Sequence, residues 1–286
     1  MPRLLWITPL VKSPPEEAVT RSETNPRSRI VEESSLNRCL FALVLLGGLA
    51  GCAGGGAPAA PTPARPNVYR VLFIGNSLTY TNDLPGTVAA MALTAGDTIE
   101  TQTVAAPNLA LIDHVAGQTN AVEAIKSGHW DYVVLQQGPT PLPLYRDTLI
   151  LATKWLQPYI GDAGARSAQL MVWPSATKRA SFDEVRRSSQ LAAKSVGGVF
   201  LPAGEAWRAA WAAGSRIALY GPDGFHPSEL GTYLTALVVY EGLTGRDVQT
   251  LSPRITVAWK RLQIPTATVR LLQRVAHETV VRFREE

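Results

Sequence analysis

Short runs of β-branched and aromatic residues alternate along this chain with longer segments that carry an apolar face at helical spacing. The first clear run is Val71-Leu72-Phe73-Ile74. It lacks polar alternation, which predicts a strand covered on both faces. Asp83-Leu84-Pro85 then opens a helix with proline in its first turn, and residues 88–94 supply its apolar face before Gly96 ends it. Residues 99–105 read as a second strand, Pro107-Asn108-Leu109 as a turn, and two short helical patterns follow through about Lys126. A third strand spans 132–136 and runs into the loop Gln136-Gln137-Gly138-Pro139. After a helix over 146–160, residues 169–173 read as a fourth strand stopped by Pro174-Ser175. Ser181 with Glu184 three positions on predicts a capping box for the next helix. A fifth strand is expected at 198–202 and a short helix at 205–212. Another helix follows from Pro227/Ser228 to about Gly242.

Five alternations of strand and helix with short connections predict one α/β domain, a parallel sheet between helix layers, over residues 68–286. In the last stretch Ile255, Val257, Leu262, Leu271, Leu272, Val275 and Phe283 alternate with Arg and Lys. That pattern reads as a docked pair of amphipathic helices or, in a second reading, as a membrane-surface helix.

The region before residue 68 has a different character. In NRCLFALVLLGGLAGC, residues 37–52, Arg38 precedes an apolar run too short to cross a bilayer and of signal-peptide length. Leu49-Ala50-Gly51-Cys52 is similar to the bacterial lipobox, which implies lipidation of Cys52 and a chain anchored in the cell envelope. An ordinary secretory signal and a small packed helix are the other readings. Residues 1–30 lie upstream of a complete signal and have no role in one, so Val31 is a candidate start. Residues 53–67, rich in Gly, Ala and Pro, read as a tether.

Composition narrows the chemistry. The only cysteines are Cys39 and Cys52, so the folded domain has no internal disulfide or thiolate metal site. The chain carries +4, of which residues 1–51 contribute six basic and five acidic groups. The remaining +3 is too small and too dispersed to argue for nucleic acid. Candidate nucleophiles therefore have to be read from motifs. A strand that ends in Gly75-Asn76-Ser77-Leu78 delivers a serine to the carboxyl edge of the sheet, where open α/β sheets hold ligands. Serine needs an adjacent base, and the base needs an orienting acceptor. Among the four histidines, His129 precedes a strand at the wrong sheet edge. His114, beside Asp113, and His277, in a charged helix, read as surface residues. His226 follows Asp223 by three positions in Asp-Gly-Phe-His-Pro-Ser, which suits either an acid–base pair or a simple helix N-cap turn closed by Ser228. No Gly-x-Ser-x-Gly elbow is present, against an α/β-hydrolase fold.

Taken together, Gly75-Asn76-Ser77-Leu78 and Asp223-x-x-His226-Pro227, with Ser228-x-x-Gly231-Thr232-Tyr233 after it, resemble the SGNH (GDSL-type) hydrolases. The resemblance implies a flavodoxin-like three-layer α/β sandwich with a five-stranded parallel sheet. It also implies a serine esterase in which Ser77 attacks, His226 is the base and Asp223 orients it. No cofactor or metal is implied. The substrate class it suggests is a small-molecule or carbohydrate ester, with O-acetyl groups the first expectation and short-chain lipid or thioester substrates the second. Contact with a membrane is expected only through the lipid anchor.

The chain departs from the family at the oxyanion hole. Ser77 supplies one backbone donor, but Ala105-Ala106-Pro107-Asn108 stands where a glycine is usual, and Pro107 has no N–H. Asn108 is the substitute. Gly-x-Asn-Asp after the third strand is absent, and Gln136 is the candidate side-chain donor with Gln137 in reserve. Asn76, Gln137 and Trp173 are the candidate substrate contacts, although Gln136 and Gln137 also read as loop-satisfying groups and Trp173 as a core residue. These departures favour one rival, a ligand-binding lipoprotein that kept the fold and lost the chemistry.

Overall fold

The computed structural model describes residues 67–214, 216–257 and 260–284. Cys52, the candidate start and residues 53–66 of the tether lie outside the described residues. The central sheet holds β1 (Val68–Gly75), β2 (Thr98–Ala105), β3 (Tyr132–Gln136), β4 (Arg166–Leu170) and β5 (Val199–Leu201). Their order is β2-β1-β3-β4-β5, and every pairing is parallel. This is a doubly wound sheet whose order reverses between β1 and β3, the place where such sheets open a ligand crevice at their carboxyl ends.

The apolar run of β1 explains the layering. Val71 and Phe73 enter one core, with α2 (Leu84–Thr94), α7 (Ala203–Ala213), α8 (Glu229–Thr244) and α9 (Thr266–Arg284). Leu72 and Ile74 enter the other, with α3 (Leu111–Val115), α4 (Ala121–Ser127) and α5 (Pro143–Asp162). All four residues are fully buried. Each contributes roughly 1.5–3 kcal/mol from burial, so β1 is fixed in position before any polar group near it is considered. The helix α6 (Phe182–Lys194) gives Val185 to the first core and Ala192 to the second.

Several expectations require correction. The fourth strand is Arg166–Leu170 and not 169–173. Met171, Val172 and Trp173 are buried beyond the end of the strand, with Met171 N still donating to the Leu201 carbonyl at 2.9 Å, because an apolar run marks burial and not strand conformation. The polar start of the strand is satisfied instead by side chains, with Ser167 Oγ donating to Gln157 Oε1 at 2.8 Å and Gln169 Nε2 donating to the Leu135 carbonyl at 3.1 Å. Ser181 makes no capping bond to α6. Its hydroxyl donates to the Lys178 carbonyl at 2.9 Å, at the end of a preceding 3₁₀ turn.

The C-terminal region holds one helix and not two. Val257 lies on the hairpin β6 (Thr256–Val257) and β7 (Lys260–Arg261), and Ile255 and Leu262 flank it. His277 is not a bland surface residue either. Its Nδ1 lies 2.8 Å from Oε1 of buried Glu241 and 3.2 Å from Asp247, which ties α9 to α8. Buried Asp97 makes a second tie, accepting from the Tyr240 hydroxyl at 2.7 Å and pairing with Arg246 at 2.8 Å.

Candidate active site

The carboxyl end of β1 gives way at once to a short helix, α1 (Ser77–Tyr80), which hydropathy alone does not predict. Asn76 makes the change of direction. Its backbone is extended, and its Oδ1 accepts from Leu78 N at 3.1 Å as the N-cap. Ser77 is thereby the first residue of the helix. Its own N–H is among the donors that a helix N-terminus leaves without an intrahelical partner.

Two buried side chains grip the turn from below. Gln136, at the end of β3, accepts through Oε1 from Asn76 N at 2.9 Å and from Thr79 Oγ1 at 2.7 Å, on either side of Ser77. His114, fully buried on α3, places Nε2 3.0 Å from the Gly75 carbonyl and Nδ1 2.7 Å from Thr119 Oγ1. A carbonyl can only accept, so Nε2 carries the proton and Nδ1 accepts from the threonine. Burial holds this imidazole below its ordinary pKa, against the smaller opposing pull of the Gly75 carbonyl and Asp113. It stays neutral.

The second half of the site comes from the loop before α8. Asp223 Oδ1 accepts from the Phe225 and His226 N–H groups, each at 3.0 Å. Gly224 adopts φ 66° between them, a left-handed conformation that favours glycine. This fold of four residues turns both side chains the same way. Asp223 Oδ2 lies 2.5 Å from His226 Nδ1, and His226 Nε2 lies 2.9 Å from Ser77 Oγ. A carboxylate only accepts, so Nδ1 donates to it and the Nε2 lone pair faces the serine hydroxyl. The imidazole hydrogen bond, helped by the two backbone donors, holds the Asp223 carboxyl down to about 2. Residues 149 apart in sequence therefore form a relay of serine, imidazole and carboxylate.

Longer-range bonds seat the loop. Trp173 Nε1 donates to the Phe225 carbonyl at 3.0 Å, and Ala176 N donates to the Gly224 carbonyl at 2.8 Å. Asn82, in the left-handed region at φ 54°, links the two halves by donating to the Pro227 carbonyl at 2.8 Å. The relay itself is open: the His226 and Asp223 side chains are 35% and 50% exposed.

The chain matches no family model and no curated protein. Solved structures are similar to it. A DUF4886 family protein from Bacteroides uniformis superposes with a TM-score of 0.65 at 20% identity, over 75% of this chain and 95% of that one. A candidate SGNH hydrolase from Slackia heliotrinireducens, 25% identical, superposes with a TM-score of 0.53 over 62% of this chain and 100% of its own. This chain has the SGNH hydrolase fold.

On that fold, the remaining candidate residues take places that differ from the sequence reading. Gln136 is 1% exposed, and its amide nitrogen is buried without a hydrogen-bond partner. Its observed part is that of an acceptor, which holds the Asn76–Thr79 turn around Ser77. Gln137, also buried, accepts from Leu111 N at 2.9 Å and caps α3. Asn76 spends its amide nitrogen on the Leu109 carbonyl at 3.0 Å. Trp173 is 1% exposed and stacks on Trp207 at 3.5 Å, inside the core. Asn76, Gln137 and Trp173 thus hold the site together and do not line it. Asn108 is exposed, at φ 62° in the turn Ala106–Leu109 that the Asn76 amide grips.

Sequence reasoning missed His114 and Asn82. For His114 the spacing to Leu111, three positions on one helix face, points to burial but not to the Gly75 carbonyl it holds. Asn82 had no such signal.

Proposed function

We propose that this chain is a serine esterase acting on carboxylic esters of a large, accessible alcohol, with O-acetylated carbohydrate of the cell envelope as the leading class. The observation that carries the reading is the continuous set of contacts from Ser77 through His226 to Asp223. In this reading Ser77 Oγ attacks the ester carbonyl while His226 Nε2 takes its proton. The tetrahedral oxyanion meets the N–H of Ser77 and that of Asn108. Collapse breaks the bond to the alcohol, which leaves with the proton from His226 and yields acyl-Ser77. Water, deprotonated by the same nitrogen, then releases the acid and restores the serine. Asp223, ionised throughout, keeps the imidazole in the required tautomer.

The exposure of the relay favours an ester displayed on a bulky molecule over one drawn into a deep tunnel. A lipid anchor at Cys52 belongs to the same proposal, since it would hold the enzyme at the envelope where such polymers lie.

The test is a panel of p-nitrophenyl esters and acetylated oligosaccharides, with a serine-reactive phosphonate probe. Wild type should hydrolyse short acyl esters and label at Ser77. Ser77→Ala should lose both, with kcat down by a factor on the order of 10⁴–10⁶. A folded wild type that neither labels nor hydrolyses any ester would leave the ligand-binding lipoprotein as the better reading.

A further inference from the structure

Most of the large apolar side chains that α5 leaves in solvent lie on one stripe. Leu142, Leu144, Tyr145, Leu151 and Trp155 are 46–72% exposed and make up five of the nine exposed large hydrophobic residues of the described chain. Leu144, Leu151, Trp155 and the exposed Pro158 recur at spacings of seven, four and three, along one side of the helix. Leu149, Leu156 and Ile160 occupy the opposite side and enter the core. A face of Leu, Tyr and Trp of this kind is not needed for packing within the domain.

We propose that this stripe docks on a lipid surface, as a second membrane contact beside the anchor. Three observations select lipid over a second copy or a protein partner. Trp155 and Tyr145 are the residue types that settle at a membrane interface, with an apolar ring and a polar edge. Lys154 borders Trp155, and the Lys126 ammonium lies 4.5 Å from the Tyr159 ring at the end of the stripe, while Arg146 is paired with Asp147 at 3.1 Å. Long basic side chains suit that border because their stems stay apolar while their charges reach headgroups. The third observation is the chain that precedes the domain. An apolar run ends at Cys52, and 15 residues, 53–67, lead from it to the first strand. Fully extended they span at most about 50 Å, enough to pass around a domain of this size but too little to take it far from a bilayer.

The position of the stripe fits the site. The loop from the carboxyl end of β3 leads directly into α5, so Leu142, Leu144 and Tyr145 lie at the same sheet edge as Ser77. Docked on a membrane by this face, the domain presents Ser77 and His226 alongside the surface, and esters of surface-bound molecules come within reach. This deepens the proposed function and rests on the anchor only for the reason the domain meets a bilayer at all.

The experiment uses the mature chain, residues 53–286, secreted through an ordinary cleavable signal so that it carries no lipid. It is mixed with vesicles of phosphatidylcholine and phosphatidylglycerol, plain or with brominated acyl chains. The chain should sediment with the vesicles, and bromine should quench a fluorescence component that Trp155→Phe removes. Leu144→Glu/Leu151→Glu/Trp155→Glu should weaken vesicle binding by about tenfold or more, the effect of losing a single buried leucine. Its melting temperature should match the parent, as expected for exposed positions. Equal binding by parent and variant, or no quenching at Trp155, overturns the proposal. So does a parent that is dimeric without vesicles and becomes monomeric in the variant, since the stripe is then a self-association face. A catalytically dead but vesicle-binding chain refutes the esterase reading alone.

Discussion

Ser77 and His226, the proposed nucleophile and base, are held in opposite ways. Ser77 rides on a turn clamped by buried side chains from β3 and α3, at sequence separations of 57 to 60 for Gln136 and 39 for His114. His226 rides on an exposed loop whose shape is set largely by Asp223, Gly224 and Phe225 next to it. One half is built by the tertiary fold and the other by four consecutive residues. Damage to the first half should therefore move the serine without touching the base. Damage to the second should change proton transfer and leave the serine in place.

Beyond Ser77 itself, the largest expected effect falls on the exposed half. Asp223→Asn keeps the size of the side chain but removes the charge that fixes the tautomer, and kcat should fall by about 10²–10⁴. Because Asp223 is held down to about 2, its carboxylate stays ionised through the neutral range in which the enzyme would be assayed. An Asp223→Asn variant with unchanged kcat would break the assignment. The same depressed carboxyl makes a small contribution to stability, present above about pH 4 and lost as pH falls toward 2. It is small because Asp223 is half exposed to solvent screening.

A second experiment separates clamp from donor at Gln136. Gln136→Ala frees Asn76 N and Thr79 Oγ1 and should lower kcat about 10²-fold through misplacement of Ser77, with KM nearly unchanged. Gln136→Glu keeps an acceptor for both groups and gives up only the amide N–H₂. Substantial recovery in Gln136→Glu marks a positioning acceptor, whereas a loss as deep as in alanine would restore the oxyanion donor expected from sequence.

Smaller effects are expected on stability. His114→Leu removes the acceptor of the Thr119 hydroxyl and the side-chain donor to the Gly75 carbonyl, and costs about 1–3 kcal/mol, with His114→Gln recovering part through its own donor. Since the folded chain keeps His114 neutral and the unfolded chain protonates it near pH 6.5, wild-type stability should decline as pH falls below about 6.5. His114→Gln should flatten that part of the curve, which thermal melts at several pH values will show. Of similar size is Trp173→Phe, which keeps an aromatic ring in the core but removes the bond to the Phe225 carbonyl and part of the ring stacked on Trp207, at a cost of about 1–3 kcal/mol.

The contrast between the halves also explains what the sequence made legible. The Asp-x-x-His loop could be read because its geometry is local, with glycine at the position that requires a positive φ. β1 and β3 could be read from apolar runs buried on both faces, whereas the polar β4 could not. The roles of Gln136 and His114 could not, because each is defined by a partner far along the chain. Trp173 was ambiguous for a related reason: an apolar run specifies burial, and a core and a cleft wall look alike from one strand. The C-terminal hairpin was misread because Val257 and Leu262 at its ends mimic a helical stripe, although Pro265 just before α9 marks where the helix can begin.

The 149 residues between Ser77 and His226 also set an order in time. At synthesis rates of about 5–20 residues per second, the histidine follows the serine by roughly 7–30 s. Every group that grips the nucleophile, at positions 114 and 136, is made well before that. The growing chain can cradle its serine early but has no base for it, and a serine hydroxyl without a base is a poor nucleophile. Any reactivity toward esters waits for the final quarter of the protein.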